Sequence, residues 1–347
     1  MKNKIDWNKL SFSYIPTKAL VYSRCVGGDW EKPAVTEDFT LTLNTFAGIF
    51  HYSPSCFEGL KAFRGVDNKI RIFRPDSNAK RMQDSANYLD MPYPSVEMFV
   101  EMCVRCVKEN LEFLPPYEAT GASLYLRPIL IGINPQLGIA SSKDVLFAVM
   151  CSPVGTYSGA KSLSCGTAVI SRNYDRASTF GSGCYKLGAN YAQSLHAYNI
   201  AHKSGYRELL FLDSATKTTI EEFGSSNFFA IKGDTYVTPR SNSILPSITN
   251  KSLRVVAADL GLKVEVRTVK VEELAEFDEA NSCGTAVVIT PLSSIDDKPA
   301  LECEDVSRHY TFGKECGKIS EKLYRRIINI QQGIEEDTHG WCLFVDE

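Results

Sequence analysis

Apolar and polar residues follow one another along this chain in patterns that mark most of its elements. Gly59-Leu60-Lys61-Ala62-Phe63 and Lys69-Ile70-Arg71-Ile72-Phe73 read as strands, and the turn formers Gly65-Val66-Asp67-Asn68 between them predict a hairpin. Leu41-Thr42-Leu43 alternates in the same way and predicts a further strand. A helix is predicted over 78–89, opened by Pro75-Asp76-Ser77, and an amphipathic one over 95–113, which stops before Pro115-Pro116. Apolar runs over 122–133 and 145–151 predict strands.

The turn formers Ser152-Pro153-Val154-Gly155-Thr156-Tyr157-Ser158-Gly159 predict a linker. Beyond it come a helix over 189–204, a strand over 208–212 and paired strands over 227–231 and 235–237. A helix over 248–260, a strand over 264–266, a short helix near 271–277, a strand over 286–290 and a long helix over 314–332 follow. Strands and helices do not alternate strictly, which favours a mostly antiparallel or barrel-like sheet over a doubly wound one. The expectation is an α+β chain with a smaller domain over 1–152, a linker over 153–165 and a larger domain over 166–347.

Composition adds constraints. The 347 residues suit two domains, and 44% hydrophobic with 23% charged residues is the balance of a soluble globular protein. A formal net charge of -3, without a long basic run, gives no reason to expect nucleic acid or an anionic membrane as partner. The start, Met1-Lys2-Asn3-Lys4-Ile5-Asp6-Trp7, lacks the marks of a signal or transit peptide, and no apolar run is long enough to span a bilayer. The expected location is the cytoplasm. Eleven cysteines without framework spacing are expected to be reduced thiols. Cys103 and Cys106 match C-x-x-C but fall on one face of a predicted helix, where core packing explains them; no second pair completes a zinc site, and no metal is expected.

The candidate chemistry begins at Gly181-Ser182-Gly183-Cys184-Tyr185-Lys186-Leu187-Gly188-Ala189-Asn190-Tyr191. Glycines let the backbone approach a bound group closely. A lysine held there out of bulk water loses solvation of its charged form, so a neutral amine becomes available to a carbonyl, as a Schiff-base lysine requires. Taken alone, the stretch also reads as a solvated loop. Pyridoxal phosphate would further need an acid at its ring nitrogen, a phosphate cradle, a donor to its ring hydroxyl and a cap for the substrate carboxylate. Thr219-Ile220-Glu221-Glu222-Phe223-Gly224 offers the acid: in an extended segment Glu222 and Gly224 share a face, the glycine leaving room for a ring. A solvated glutamate pair beside a turn is the alternative. Leu245-Pro246-Ser247-Ile248-Thr249-Asn250 offers a helix start as cradle, or only an ordinary N-cap. Asn281-Ser282-Cys283-Gly284-Thr285-Ala286 offers a turn with a hydroxyl, or only a strand entry.

In this order, Gly183-x-x-Lys186 with Asn190-Tyr191, Glu222-x-Gly224-x-x-Asn227, Leu245-Pro246 and Gly284-Thr285-Ala286 resemble the fold-type IV aminotransferases. The first half narrows the resemblance to branched-chain aminotransferases. It carries His51-Tyr52, Phe57-Glu58-Gly59-Leu60-Lys61-Ala62-Phe63-Arg64-Gly65, Phe73-Arg74-Pro75 with Arg81-Met82, Leu124-Tyr125-Leu126-Arg127-Pro128 and Ser152-Pro153-Val154-Gly155. The likeness runs from about residue 10 to the end of the chain. It implies a smaller N-terminal α/β sandwich and a larger C-terminal pseudo-barrel with flanking helices. It also implies pyridoxal 5'-phosphate as cofactor, a homodimer, and transfer of an amino group between leucine, isoleucine or valine and 2-oxoglutarate.

Residue by residue, the resemblance makes Lys186 the Schiff-base lysine and proton shuttle, Tyr191 the donor to the ring oxygen and Glu222 the acid on the ring nitrogen. Arg81 and the backbone of Ile248 and Thr249 would take the phosphate, and Ser225 lies where the family has a hydroxyl near the cofactor. Thr285 and Ala286 would receive the substrate carboxylate, and Tyr125 and Arg127 match polar groups on the substrate side, Arg127 suiting a distal carboxylate. Phe12, Tyr52 and Phe57 resemble an apolar wall, although Tyr52 and Phe57 also read as plain core aromatics. One departure is that Val287 and Thr290 stand where some animal members carry a redox C-x-x-C pair, so no such switch is expected there. A D-amino-acid aminotransferase, an aminodeoxychorismate lyase or a catalytically silent relative are the competing readings.

Overall fold

The computed structural model describes residues 5–119, 121–155 and 163–345. Its elements begin with β1 (Leu20–Val26), β2 (Asp29–Trp30), β3 (Ala34–Thr36), α1 (Gly48–Tyr52), β4 (Ser55–Phe57), β5 (Leu60–Arg64) and β6 (Ile70–Phe73). Next come α2 (Pro75–Tyr88), α3 (Val96–Glu109), β7 (Ser123–Gly132), β8 (Val145–Val154) and β9 (Gly166–Ser171). Then follow α4 (Gly188–Lys203), β10 (Glu208–Leu212), β11 (Ile220–Phe223), β12 (Asn227–Lys232) and β13 (Thr235–Pro239). The remainder is α5 (Ile248–Asp259), β14 (Lys263–Arg267), β15 (Glu279–Gly284), β16 (Val288–Asp297), β17 (Arg308–Thr311), α6 (Lys318–Gln332) and β18 (Cys342–Val345). Of the linker expected over 153–165, residues 156–162 lie outside the described residues, while 153 and 154 continue β8.

Two compact units divide the chain. The first takes Met1–Lys161, Tyr185–Ala189 and Asn329–Glu347; the second takes Ser162–Cys184 and Asn190–Ile328. The C-terminal residues therefore belong with the first unit, because β18 pairs antiparallel with β6.

In the first unit nine strands form one antiparallel sheet, with the order β18-β6-β5-β7-β8-β1-β2 and with β3 and β4 on its flanks. β7 shows the strand period plainly: Leu124, Leu126 and Leu130 enter the core, so Tyr125 and Arg127 face the other way. Pro128 cannot donate to a ladder; its carbonyl instead accepts from the Glu58 N–H at 2.8 Å, between the stretches of β7 that pair with β5 and with β4. Helices α2 and α3 cover the core face. Ser95 caps α3 by accepting from the Met98 N–H at 3.1 Å, and Phe99, Met102, Cys103, Cys106 and Val107 are its buried stripe. Leu41-Thr42-Leu43 forms no strand; three alternating residues without a pairing partner do not make one.

In the second unit β11-β10-β9-β16-β15-β12 close into a six-stranded barrel through the β11–β12 pairing, and β13, β14 and β17 extend it. The ladders are mostly antiparallel, but β9 runs parallel to both neighbours. Leu210, Leu212, Phe223, Phe228, Ala280, Leu292 and Ile295 share the barrel core. Leu209 and Phe211, of opposite parity on β10, pack with Ala197 and Ala201 of α4 instead.

Glu208 has the parity of Leu210 and Leu212, and its carboxylate accepts from Ser282 Oγ at 3.2 Å. Burial pushes its pKa from 4.5 up to about 7. The native state thus keeps a proton that the unfolded chain releases. That contribution to stability is complete below about pH 4.5 and is lost as the pH rises through about 7. Glu208→Gln, which does not titrate, should therefore gain about 2–3 kcal/mol on wild type between pH 4.5 and pH 8. Urea unfolding of both proteins at the two pH values measures this, and a pH-independent difference would contradict it.

Candidate active site

In the first unit the site is built on one face of α2. Asn78, Arg81 and Ser85 are spaced by three and four residues and so point the same way. Arg81 donates from Nε to Glu58 Oε1 at 2.8 Å and from Nη2 to Glu58 Oε2 at 2.7 Å, a bidentate pair. Asn78 Nδ2 donates to the same carboxylate at 2.7 Å. Glu58 is 0% exposed. Its oxygens are paired and hydrogen-bonded, as burial of such a group requires. In the sequence Glu58 stands out only as part of a motif, and local pattern assigns it no role.

Lys186 lies beside this pair. Its N–H donates to Ser85 Oγ at 2.9 Å, its carbonyl accepts from the Phe57 N–H at 3.2 Å, and its ammonium stands 4.6 Å from the Phe57 ring centroid. Main-chain bonds to α2 and β4 therefore fix the lysine's backbone, and Lys186 is half-buried rather than a solvated loop residue.

From Phe57 the contacts run on to the substrate-side candidates. The Arg127 guanidinium lies 4.9 Å from the Phe57 ring and 5.2 Å from the Tyr125 ring, and donates to Tyr125 Oη at 3.2 Å. Phe12 packs edge-on to Tyr125 with centroids 5.0 Å apart. Gly59 makes this arrangement possible, since a Cβ there would meet the Tyr125 hydroxyl at 2.1 Å. Arg127 Nε is buried without a hydrogen-bond partner, and among the described residues no carboxylate pairs with this guanidinium. Tyr52 does not join this chain of contacts: it is 43% exposed on α1, and its hydroxyl donates to the Leu137 carbonyl.

In the second unit the centre is Glu222. Hairpin register sets Glu222 opposite Asn227 across β11 and β12, and Asn227 Nδ2 donates to Glu222 Oε2 at 2.7 Å. Glu222 Oε1 accepts from the Leu245 N–H at 2.9 Å and pairs with Arg176 Nη2 at 2.9 Å. A carboxylate offers about four acceptor positions, so three bonds leave one. Glu222 is 3% exposed. Burial raises its pKa; Arg176 opposes this most, then the Leu245 N–H and Asn227, while Glu221 adds to it. Glu221 is buried too and accepts from Ser241 and Ser243, so neither residue is a solvated surface acid.

Arg176, absent from the sequence reading, explains a glycine. Its Nη2 also donates to the carbonyls of Gly183 and Ser243, and a Cβ on Gly183 would meet that nitrogen at 2.7 Å and the Ser243 oxygen at 2.3 Å. Gly224 is different. A Cβ there would touch only Tyr198 and Phe211 at ordinary distances, so protein packing alone does not require a glycine.

Ser247 caps α5 by accepting from the Asn250 N–H at 3.2 Å, and the Lys251 N–H bonds the Ser247 carbonyl. The N–H groups of Ile248 and Thr249 precede the first intrahelical bond and stand at the positive end of the dipole. Thr285 and Ala286 lie in the half-buried turn from β15 to β16. Directly after it Val288 takes φ 64°, a conformation that β-branched residues avoid and that clusters at functional sites. Asn190 is locked to Ser182 at both ends of its amide, at 2.6 and 2.9 Å, which fixes the start of α4 that carries Tyr191. Ser225 is exposed at the hairpin turn.

Comparisons with known proteins give the family. The amino-transferase class IV family model matches residues 55–295. The branched-chain-amino-acid aminotransferase of Helicobacter pylori is 42% identical over 98% of this chain and 98% of its own. That of Haemophilus influenzae is 40% identical over 99% of each. Among solved structures, the Escherichia coli branched-chain amino acid aminotransferase superposes with TM-score 0.76 at 25% identity, covering 95% of this chain and 100% of that one. The Thermobaculum terrenum branched-chain amino acid aminotransferase, solved in its PLP form, shares the fold with TM-score 0.77 at 22% identity, over 96% of this chain and 99% of that one. The chain is thus an enzyme of the amino-transferase class IV family, and within it belongs to the branched-chain-amino-acid aminotransferases.

Proposed function

We infer that the enzyme reversibly transfers the amino group of L-leucine, L-isoleucine or L-valine to 2-oxoglutarate, giving a branched 2-oxo acid and L-glutamate, with pyridoxal 5'-phosphate as cofactor. The observation that carries the substrate reading is Arg127. A guanidinium flanked by two aromatic rings, with a buried Nε lacking a hydrogen-bond partner, serves two substrates in turn: one with an apolar side chain, one with a distal carboxylate.

The donor set fits the cofactor: a half-buried amine at Lys186, a buried carboxylate with one acceptor position left at Glu222, and N–H groups without intrahelical acceptors at Ile248 and Thr249. When bound, pyridoxal 5'-phosphate supplies an electrophilic aldehyde and a ring that accepts electrons, and it carries the amino group between the two half-reactions. Lys186 Nζ holds the cofactor and moves the proton at the substrate α-carbon. Glu222 holds a proton on the ring nitrogen, and Tyr191 donates to the ring oxygen. Arg81, oriented by Glu58, takes the phosphate with the Ile248 and Thr249 N–H groups, and Ser225 adds a hydroxyl near the cofactor. Thr285 and Ala286 receive the α-carboxylate. Tyr125 and Arg127 take the distal carboxylate of glutamate, and Phe12 and Phe57 supply the apolar wall.

The same reading makes the enzyme a homodimer. The exposed Phe46, Phe50, Tyr52, Leu137 and Ile139, on α1, the turn before it and the neighbouring 134–140 loop, support it. No helix among the described residues is long and apolar enough to cross a membrane.

A substrate panel with 2-oxoglutarate as acceptor tests the function. L-leucine, L-isoleucine and L-valine should give the highest kcat/KM. Preference for D-alanine, or turnover of aminodeoxychorismate instead, would move the enzyme to another reaction of its family.

A further inference from the structure

The two proposed anchors of the cofactor in the second unit, the Glu222 carboxylate and the N-terminus of α5, are joined by buried side chains that neither anchor needs for its own chemistry. Asn227 Nδ2 donates to Glu222 Oε2 at 2.7 Å and to the Leu245 carbonyl at 3.1 Å. Both partners are acceptors only, so the amide orientation is forced and Asn227 Oδ1 must accept. It does so from Asn250 Nδ2 at 3.2 Å. Asn250 Nδ2 also donates to Thr238 Oγ1 at 2.9 Å, and its Oδ1 accepts from the Tyr236 hydroxyl at 3.2 Å. The donors thus run head to tail, Tyr236 to Asn250 to Asn227 to Glu222, and all point toward the carboxylate.

Asn250 occupies the third position of α5, immediately after Ile248 and Thr249, and its own N–H is tied to Ser247. Any shift of the helix start therefore shifts Asn250, and through Asn227 it pulls on Glu222. Asn227, Thr238, Tyr236 and Asn250 are all buried, so water does not readily replace a lost link.

We propose that Asn227 and Asn250 are positioning residues that form a strut of fixed length between the ring-nitrogen acid and the phosphate-binding helix start. With the strut in place, one rigid cofactor meets both anchors without either moving; the phosphate then adds its full share of affinity. The idea rests on the assignment of Glu222 and α5 to pyridoxal 5'-phosphate made above.

The test compares pyridoxal 5'-phosphate with pyridoxal, which lacks the phosphate, by titrating apoenzyme and measuring both dissociation constants. In wild type the phosphate tightens binding by a measurable factor. In Asn250→Ser, which shortens the side chain and cuts the strut, that factor should shrink about tenfold, the size of coupling seen between members of one hydrogen-bond network. Asn227→Ser cuts the neighbouring link, should shrink the factor similarly, and serves if Asn250→Ser does not fold. Tyr236→Phe removes a donor but leaves the strut whole, so its factor should stay near wild type. An unchanged factor in both serine variants, with pyridoxal 5'-phosphate still bound, would overturn the strut, as would equal shrinkage in Tyr236→Phe. Absence of any phosphate preference in wild type would instead overturn the cofactor assignment, and the strut with it.

Discussion

Lys186→Ala should lose at least about a thousandfold in kcat and should lose the borohydride-reducible link between protein and cofactor. Two separate tasks end with this one amine. It anchors the cofactor, and it moves the proton at the substrate α-carbon; loss of a positioned acid–base group alone costs about 10²–10⁴ in rate. Alanine replaces neither. The fold should survive, because the backbone at 186 is held by Ser85 and by the Phe57 N–H, not by the lysine side chain. Reduction with borohydride followed by peptide mapping locates the link, and steady-state rates with L-leucine and 2-oxoglutarate give the loss. Wild-type turnover in the variant would remove Lys186 from the mechanism; a reducible link mapped to another lysine would reassign it.

Glu58→Ala should destabilise the protein by about 3–5 kcal/mol, the usual cost of removing one member of a buried ion pair. Arg81 would keep its charge and lose the carboxylate that engages its Nε and Nη2. Asn78 would lose the nearer of its two acceptors and keep the Gly59 carbonyl at 3.3 Å. Glu58→Gln keeps the shape and one acceptor oxygen, so it should be the milder change. Urea unfolding in the absence of cofactor measures both, without a contribution from ligand binding. A loss below about 1 kcal/mol for the alanine variant would mean that solvent compensates Arg81 and that the pair is not the closed unit described here.

The legible parts of the fold are those where local pattern and tertiary role coincide. The strand expected over 208–212 has those bounds, and the amphipathic stretch from Ser95 is helix α3, with Ser95 as its cap. β15 shows the opposite case. Asn281-Ser282-Cys283-Gly284 reads as part of a turn that enters a strand, yet with Glu279 and Ala280 it forms a central barrel strand between β12 and β16. Ladder bonds to two neighbours outweigh its weak propensity. Its polar side chains are partly spent on distant tasks, Ser282 on Glu208 and Glu279 on capping α6 through the Ser320 N–H. The site divides in the same way. Lys186, Glu222 and the start of α5 announce themselves through unusual local composition. Glu58, Arg176 and Asn250 do not, because each acts through a partner at least 23 positions away that no local window contains. Asn227 was within reach: five residues after Glu222, across Gly224-Ser225-Ser226, is hairpin spacing.

The seam between β6 and β18 joins Ile70–Phe73 to the last described stretch, Cys342–Val345. On a ribosome the amino-terminal sheet must therefore wait, with one margin unzipped, while everything between is made. Until the tail arrives, Ile70, Arg71, Ile72 and Phe73 offer an open row of amide and carbonyl groups to any passing polypeptide. Residues 342–345 thus act as a closing hem, and the hazard they remove belongs to the newborn chain more than to the folded one.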